Sequence, residues 1–399
     1  MSAGEEQARL QALADGARAS GSLALDTEFV GESRYRTLLC LIQLAIPEGA
    51  QAGERIMILD PLPEETRAQA LASVLEDPAV QVVVHAGRQD IALVRRRLGC
   101  EVTNVFDTQV AAGFTGLGAQ SSYESLLSSL LGLRVAKSAS FTRWDARPLS
   151  REQLAYARED VVHLLALAGE LERRLSALGR LQWAREECEV LARSSDERDV
   201  ESIFARLPRV GGLGGTARAI ARELVQWREE TAERRNRPVQ SVLGDATLVE
   251  LARRSPASRP ELSKIRGVGA GASGRLAEEL LEVIRAGASK PPLPAPQGQR
   301  PPAPAPEDAA LIALAEALLR ARTREAGLAY ELLATRGELQ TIVSAVRAGE
   351  AEPDVRALKG WRRELAGAEL LELLRGRVSL SVTGAGREMG VRVEHAAGL

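Results

Sequence analysis

A mixed α/β domain followed by two mostly helical units is the architecture predicted by the 399-residue sequence. Three observations lead there. The first 175 or so residues alternate apolar strand-like runs with helical periodicities. From about residue 180 no strand pattern appears until the very end. Between the two helical units lies PPLPAPQGQRPPAPAP, residues 291–306, too rich in proline to build a core and suited to an extended, semi-rigid spacer.

The elements follow in order. The polar N-terminal stretch MSAGEEQARLQALADGARAS has a helical pattern. Strands are expected at Leu23–Phe29, Leu38–Ile46, Ile56–Leu59 and Val80–His85, the first three joined by short connections as hairpin strands are. Leu38-Leu39-Cys40-Leu41-Ile42-Gln43-Leu44 is nearly all apolar, the composition of a strand covered on both faces. Helices are expected at Pro63–Leu75, Gln89–Leu98, Asp107–Phe114, Tyr123–Leu131 and Ser150–Leu178. Ser150 and Gln153 have capping-box spacing, which marks the start of the last of these. Beyond it come Ala217–Arg235, Asp245–Arg254, Arg259–Ile265 and Gly274–Arg285, then a helical block from Asp308 to Arg375 and a weakly strand-like, frayed end.

Composition excludes several classes. Apolar residues at 45% and charged ones at 27% describe an ordinary globular protein. No secretory core and no run of ~18–20 apolar residues is present, so no membrane is expected and the location is expected to be cytoplasmic. Cys40, Cys100 and Cys188 are too scattered for disulfides, and His85, His163 and His395 for a zinc cluster. Lysine occurs only at Lys137, Lys264, Lys290 and Lys359; the other basic residues are arginine, a bias that a GC-rich genome accounts for and that would also suit phosphate recognition.

One strand raises a physical question. In Leu23-Ala24-Leu25-Asp26-Thr27-Glu28-Phe29, alternation puts Asp26 and Glu28 on one face, where like charges repel and resist burial. Asp90 lies on the first turn of the helix after VQVVVHAGRQD. Tyr156 and Asp160 are four apart and share a helix face with Gln153 and His163, opposite Leu154, Ala157, Val161, Leu164 and Leu165. Four carboxylates and a tyrosine make an oxygen cage of the kind magnesium prefers. Two divalent ions about 4 Å apart can clamp a phosphodiester, and their charge would relieve the repulsion. Asp107 is a rival carboxylate, but its place at a strand-to-helix junction favours N-capping. His85 is expected to pack or hydrogen-bond beneath the site, and Trp144 and Arg147 to position the helix behind them.

Asp26-Thr27-Glu28-Phe29, His85-Ala86-x-x-x-Asp90 and Tyr156-x-x-x-Asp160 resemble the three exonuclease motifs of the DEDD superfamily, in its tyrosine-bearing branch. DTEFV, LCLIQLA, ILDPL, VVHAGRQDI, FDTQVAAGF and KSASFTRWDARPLSREQLAYAREDVVHLL, in this order, are similar to the ribonuclease D family. The resemblance spans roughly residues 20–175 and implies a ribonuclease H-like fold that removes nucleotides from RNA 3′ ends. It further implies two divalent metal ions, Mg²⁺ or Mn²⁺, with Asp26 bridging them, Glu28 and Asp160 on the nucleophile side, Asp90 on the second ion and Tyr156 orienting water. The expected substrates are tRNA precursors and other small structured RNAs. A related DNA exonuclease and a non-catalytic RNA-binding adaptor remain alternatives.

The segment around RPVQSVLGDATLVELARRSPASRPELSKIRGVG resembles an HRDC domain, and 308–376 resembles a second, diverged one. Residues 198–290 carry 17 Lys and Arg against 12 acids, and the Ile265–Gly269 turn offers amides to a phosphate. Gly269-x-Gly271-x-x-Gly274 follows no strand, so a Rossmann fingerprint is rejected, and no GxxxxGK[ST] occurs. The expected division is an exonuclease domain over 1–178, an HRDC domain over 198–290, a linker over 291–306 and a second HRDC-like domain over 307–385. All the implied chemistry lies before residue 175, so a fragment ending near Leu178 is expected to be competent. A cut in the spacer is expected to release the C-terminal block.

Overall fold

The computed structural model describes residues 3–47, 55–63, 68–134, 143–268, 274–294, 306–386 and 389–395. Lys137, Gly269, Gly271 and most of the proline spacer lie outside them. Helix α1 (Ala3–Ser20) leads into β1 (Ser22–Val30), β2 (Leu38–Ala45) and β3 (Ile56–Leu59). Then come α2 (Gln69–Leu75), β4 (Gln81–Val84), α3 (Arg88–Leu98), β5 (Val105–Asp107), α4 (Thr108–Gly113) and α5 (Tyr123–Leu126), which runs on as a π-helical turn. The sheet order is β3-β2-β1-β4-β5. β1 is antiparallel to β2, and β2 to β3, while β1–β4 and β4–β5 are parallel. The mixed sheet is therefore as expected; three-residue β5 was too short to register as a strand pattern. The expected helix from Pro63 begins at Gln69, and residues 64–67 lie outside the described ones.

One sheet face, with Leu23, Leu25, Ile42 and Val82, packs against α1, α2 and α3. The other, with Ala24, Ala45, Val83 and Phe106, is covered by α4, α6 (Arg151–Val162), α7 (Leu164–Ala177) and α8 (Leu181–Ala192). The single helix expected over Ser150–Leu178 is two, broken at His163 (φ −109°, ψ 0°), which turns α7 down onto the sheet. No proline or glycine marks that break in the sequence. Leu154, expected on the apolar side, is instead exposed.

The HRDC-like unit consists of α9 (Val200–Arg206), α10 (Gly215–Arg234), α11 (Val239–Val242), α12 (Asp245–Arg254), α13 (Arg259–Leu262) and α14 (Arg275–Ser289). Its core centres on Ile220, Leu224, Leu248, Leu251 and Leu280. Several of its arginines hold structure. Buried Arg228 pairs with Asp245 at 2.6 Å, and buried Arg218 donates to the Leu293 carbonyl at 2.8 Å. Gly267 (φ +94°) is required where the chain crosses α12, because a Cβ there would lie 2.1 Å from Thr247 Oγ1. The unit meets the β1–β2 connection through Tyr35, whose hydroxyl donates to Glu229 at 3.1 Å.

The last block holds α15 (Pro306–Ala326), α16 (Arg336–Ala348), α17 (Gly360–Arg362) and α18 (Ala368–Leu374), then β6 (Val378–Thr383) and β7 (Gly390–His395). Two expectations change here. The end is not frayed: β6 and β7 pair antiparallel from Val378↔His395 to Thr383↔Gly390. The block does not stand apart from the sheet domain either: its apolar face continues that domain's core. Trp361 stacks on Trp183 with ring centroids 5.3 Å apart and meets Phe114 edge-on at 5.1 Å. Arg362 pairs with Glu187 at 2.6 Å, and the Ala329 amide donates to the Gly113 carbonyl at 3.2 Å.

Candidate active site

The sheet itself creates the place where the carboxylates meet. β1 pairs with β4 only over Ser22–Ala24, so its continuation through Asp26 and Glu28 runs beyond the end of β4. At that point the chain turns at residues 85–87 into α3, in the kind of crevice where open α/β sheets bind ligands. A side chain at Gly87 would strike Val84, with Cβ 2.5 Å from the valine carbons. The Asp107 carboxylate secures this turn. It accepts from the amides of Ala86 (3.1 Å), Gly87 (2.8 Å), Gln109 (2.8 Å) and Val110 (3.2 Å). Asp107 is thus the N-cap of α4 and an anchor for the start of α3, the role its sequence position suggested.

Asp26 and Glu28 do share a face, the one beneath α6, as alternation requires. Thr27 points the other way, and its hydroxyl donates to Asp90, a buried residue in the first turn of α3. Asp160 comes from α6, where the Tyr156 hydroxyl hydrogen-bonds it. Helix α6 begins with the expected capping box: the Gln153 amide donates to Ser150 Oγ at 3.1 Å and Gln153 Oε1 accepts from the Ser150 amide at 2.9 Å. The Tyr156 ring lies 6.0 Å from that of Trp144. Arg147 grips Asp60 at 2.6 and 2.8 Å and the Cys40 carbonyl at 2.9 Å, tying the segment just before α6 to the sheet, so both residues have structural roles, as expected. His85 Nδ1 sits 2.9 Å from Thr108 Oγ1 and its ring 5.7 Å from Tyr123, placing it beneath the site.

Electrostatics show what this crowding costs. Burial, then the charges of Asp90, Asp160 and Glu28, hold the Asp26 carboxyl well above the usual carboxylate range. Asp26 keeps some accessible surface although protein packs densely around the carboxyl itself. Burial, with Asp160 and Asp90, pushes Glu28 up to about 8. Burial, with Glu159 and Glu124, raises Asp160 to about 7, opposed by the Tyr156 hydroxyl. Burial likewise raises Asp90 against the Thr27 hydrogen bond. The charges acting most strongly on each are other carboxylates. Such a donor set fits divalent cations, which neutralise the repulsion and are bound by oxygen. Among the described residues no three potential ligands close around one point.

The sign of the linkage is testable. These carboxyls have folded pKa values above the unfolded range near 4, so the native state holds extra protons at intermediate pH. Their contribution to stability is complete below about pH 4 and is lost as pH rises through 7 and 8. In EDTA the melting temperature is expected to fall between pH 5.5 and 8.5. Excess Mg²⁺ is expected to raise it most at the alkaline end. A metal-independent, flat profile over that window would contradict the assignment.

Thr27 was not singled out in the sequence, since its role depends on which helix end lies across the strand. Nor was Tyr123, whose phenol is pushed up by burial and also feels the charges of Asp160 and Asp26.

Residues 3–176 match the 3′-5′ exonuclease family and residues 217–284 the HRDC domain. The chain is 36% identical over 377 residues to the ribonuclease D of Acidiphilium cryptum, spanning 94% of this chain and 93% of that one. It is 38% identical over 382 residues to the ribonuclease D of Granulibacter bethesdensis, spanning 94% and 93%. The crystal structure of Escherichia coli RNase D, described as an exoribonuclease involved in structured RNA processing, superposes with a TM-score of 0.78. That match is 28% identical and covers 92% of this chain and 96% of the other. With both domains matched in order and sequence identity sustained almost end to end, the chain belongs to the ribonuclease D family of 3′→5′ exoribonucleases.

Proposed function

We propose that Asp26, Glu28, Asp90 and Asp160 hold two divalent cations, Mg²⁺ or Mn²⁺, and that Tyr156 orients the attacking water during removal of 3′-terminal nucleotides. The observation that carries this is the gathering of four mutually repelling carboxylates at the open end of β1. Bound cations supply charge to the scissile phosphate and make a nearby water more acidic. The protein residues do the rest. Asp26, acted on by all three other carboxylates, holds the centre of the cluster. Glu28 and Asp160, which lie close enough for the charge of Asp160 to raise Glu28, would hold the cation that acidifies the attacking water, and Asp90, restrained by Thr27, would hold the other. The Tyr156 hydroxyl already hydrogen-bonds Asp160, so its role is to position water rather than to remove its proton.

The proposed substrates are the 3′ ends of tRNA precursors and other small structured RNAs in the cytoplasm. No helix among the described residues is long and apolar enough to cross a membrane. Exposed arginines of the HRDC-like unit would add phosphate contacts, but buried Arg218 and Arg228 are committed to packing. The direct test uses matched RNAs labelled at either end. With Mg²⁺, the 3′-labelled RNA should release labelled mononucleotide at once, while the 5′-labelled RNA shortens stepwise; EDTA should stop both. Internal cleavage, or full activity in EDTA, would overturn the proposal.

Tyr156→Phe tests the water-positioning role. The rate of the chemical step should fall by roughly 10²–10⁴, the range for a positioned acid–base group. RNA affinity measured in Ca²⁺ should be nearly unchanged. An unaltered single-turnover rate would reduce Tyr156 to packing against Trp144.

A further inference from the structure

Gln43 lies in the middle of β2 with no exposed surface (0%), yet neither its Oε1 nor its Nε2 has a hydrogen-bond partner. Leaving a fully buried amide unpaired is expensive, and most buried side-chain polar atoms find partners. Nothing in the strand demands it. Neighbours Leu41, Ile42, Leu44 and Ala45 are apolar and buried, and an aliphatic residue would pack there without penalty.

Register explains where the amide faces. Gln43 stands directly opposite Asp26 in the antiparallel β1–β2 pair and opposite Ile58 on β3. Opposed residues in antiparallel strands project from the same face with Cβ atoms about 4.5–5.5 Å apart. That face is the one under α6, since Leu41 and Ile58, its neighbours there, pack with Ala157 and Tyr156. The unpaired amide is therefore enclosed between the sheet and the helix that carries Tyr156 and Asp160, beside the carboxylate on which the other three converge.

We propose that Gln43 is a positioning residue for Asp26: its Nε2–H group, unpartnered in this structure, would donate to the Asp26 carboxylate when a cation is bound and fix the direction in which that carboxylate presents its oxygens. An amide suits the task. It donates without adding charge, so it restrains the aspartate without competing with the cation as lysine or arginine would. Its burial beneath α6 keeps water from taking its place. The inference rests on the cation-binding reading of Asp26 given above.

The test replaces Gln43 with methionine, which keeps length and volume but cannot donate. If the amide were only a packing element, Gln43→Met would leave activity unchanged and thermal stability equal or higher, because an unpaired polar group is removed. The positioning role predicts that stability in EDTA is kept. The Mg²⁺ concentration for half-maximal thermal stabilisation should rise about 10–100-fold, the usual effect of losing a partner of a metal ligand. The Mg²⁺ midpoint for RNA hydrolysis should rise in parallel, while KM for RNA at saturating Mg²⁺ changes little. Gln43→Leu serves as the same test should the methionine variant not fold. Wild-type Mg²⁺ midpoints in a folded Gln43→Met or Gln43→Leu protein would overturn the proposal. Asp26→Asn, measured alongside, separates the two claims. Loss of Mg²⁺ stabilisation in Asp26→Asn with wild-type behaviour at Gln43 refutes only the role of Gln43. Retention of it in Asp26→Asn refutes the cation site itself.

Discussion

Asp26→Asn is expected to abolish RNA hydrolysis, by at least about 10³-fold, while raising the melting temperature of the metal-free protein. Both effects come from one charge. Asp26 is acted on by Glu28, Asp90 and Asp160 together, so it occupies the point at which cation charge is most needed. Asparagine keeps the shape but cannot neutralise a divalent ion, and cation stabilisation of a reacting phosphate is worth several kcal/mol, hence the size of the loss. Without cations the same charge is a burden, because it is surrounded by protein and faces like charges. Single-turnover hydrolysis and thermal unfolding in EDTA check the pair of effects. Activity within tenfold of wild type would contradict the role given to Asp26.

A fragment ending at Leu178 is expected to fail to fold as a soluble, active enzyme, although it contains every proposed catalytic residue. Phe114 and Trp361 are 0% and 3% exposed, and they touch only because the C-terminal block lies on α4 and α8. Removing that block exposes Phe114 and leaves Gly113 without Leu332, which would lie 2.9 Å from a Cβ at that glycine. Each large apolar side chain returned to water costs about 1.5–3 kcal/mol, against a total stability of about 5–15 kcal/mol for a typical domain. Conversely, a protease site placed in the proline spacer should give two pieces that stay together. Gel filtration after cleavage checks this: co-elution is expected, and a freely eluting C-terminal block would contradict the continuous core.

The sheet domain was largely legible because its signals are local. Alternation located β1, a continuous apolar run located β2, and Ser150 with Gln153 announced α6. The same alternation put Asp26 and Glu28 on one face. What could not be read depends on contacts distant in sequence. The Thr27–Asp90 hydrogen bond spans 63 residues and needs the turn held by Asp107. Gln43 reads as one polar residue in an apolar strand until the register sets it opposite Asp26. The proline spacer suggested separation, whereas Trp361 and Trp183, far apart in the chain, join the last block to the first. Apolar periodicity marks a buried face without saying what buries it.

On the proposed reading, the open end of β1 tolerates its crowded carboxylates because divalent cations bind there. Calorimetric titration of Mg²⁺ into the metal-free protein, in buffers of different ionisation enthalpy, tests it most directly. Because Glu28 and Asp160 are raised to about 8 and about 7, part of the cluster is protonated at neutral pH. Cation binding at pH 7 should therefore release protons, the release should shrink towards pH 9, and Asp26→Asn should lose the binding. Binding without proton release at pH 7, unchanged in Asp26→Asn, would contradict the account.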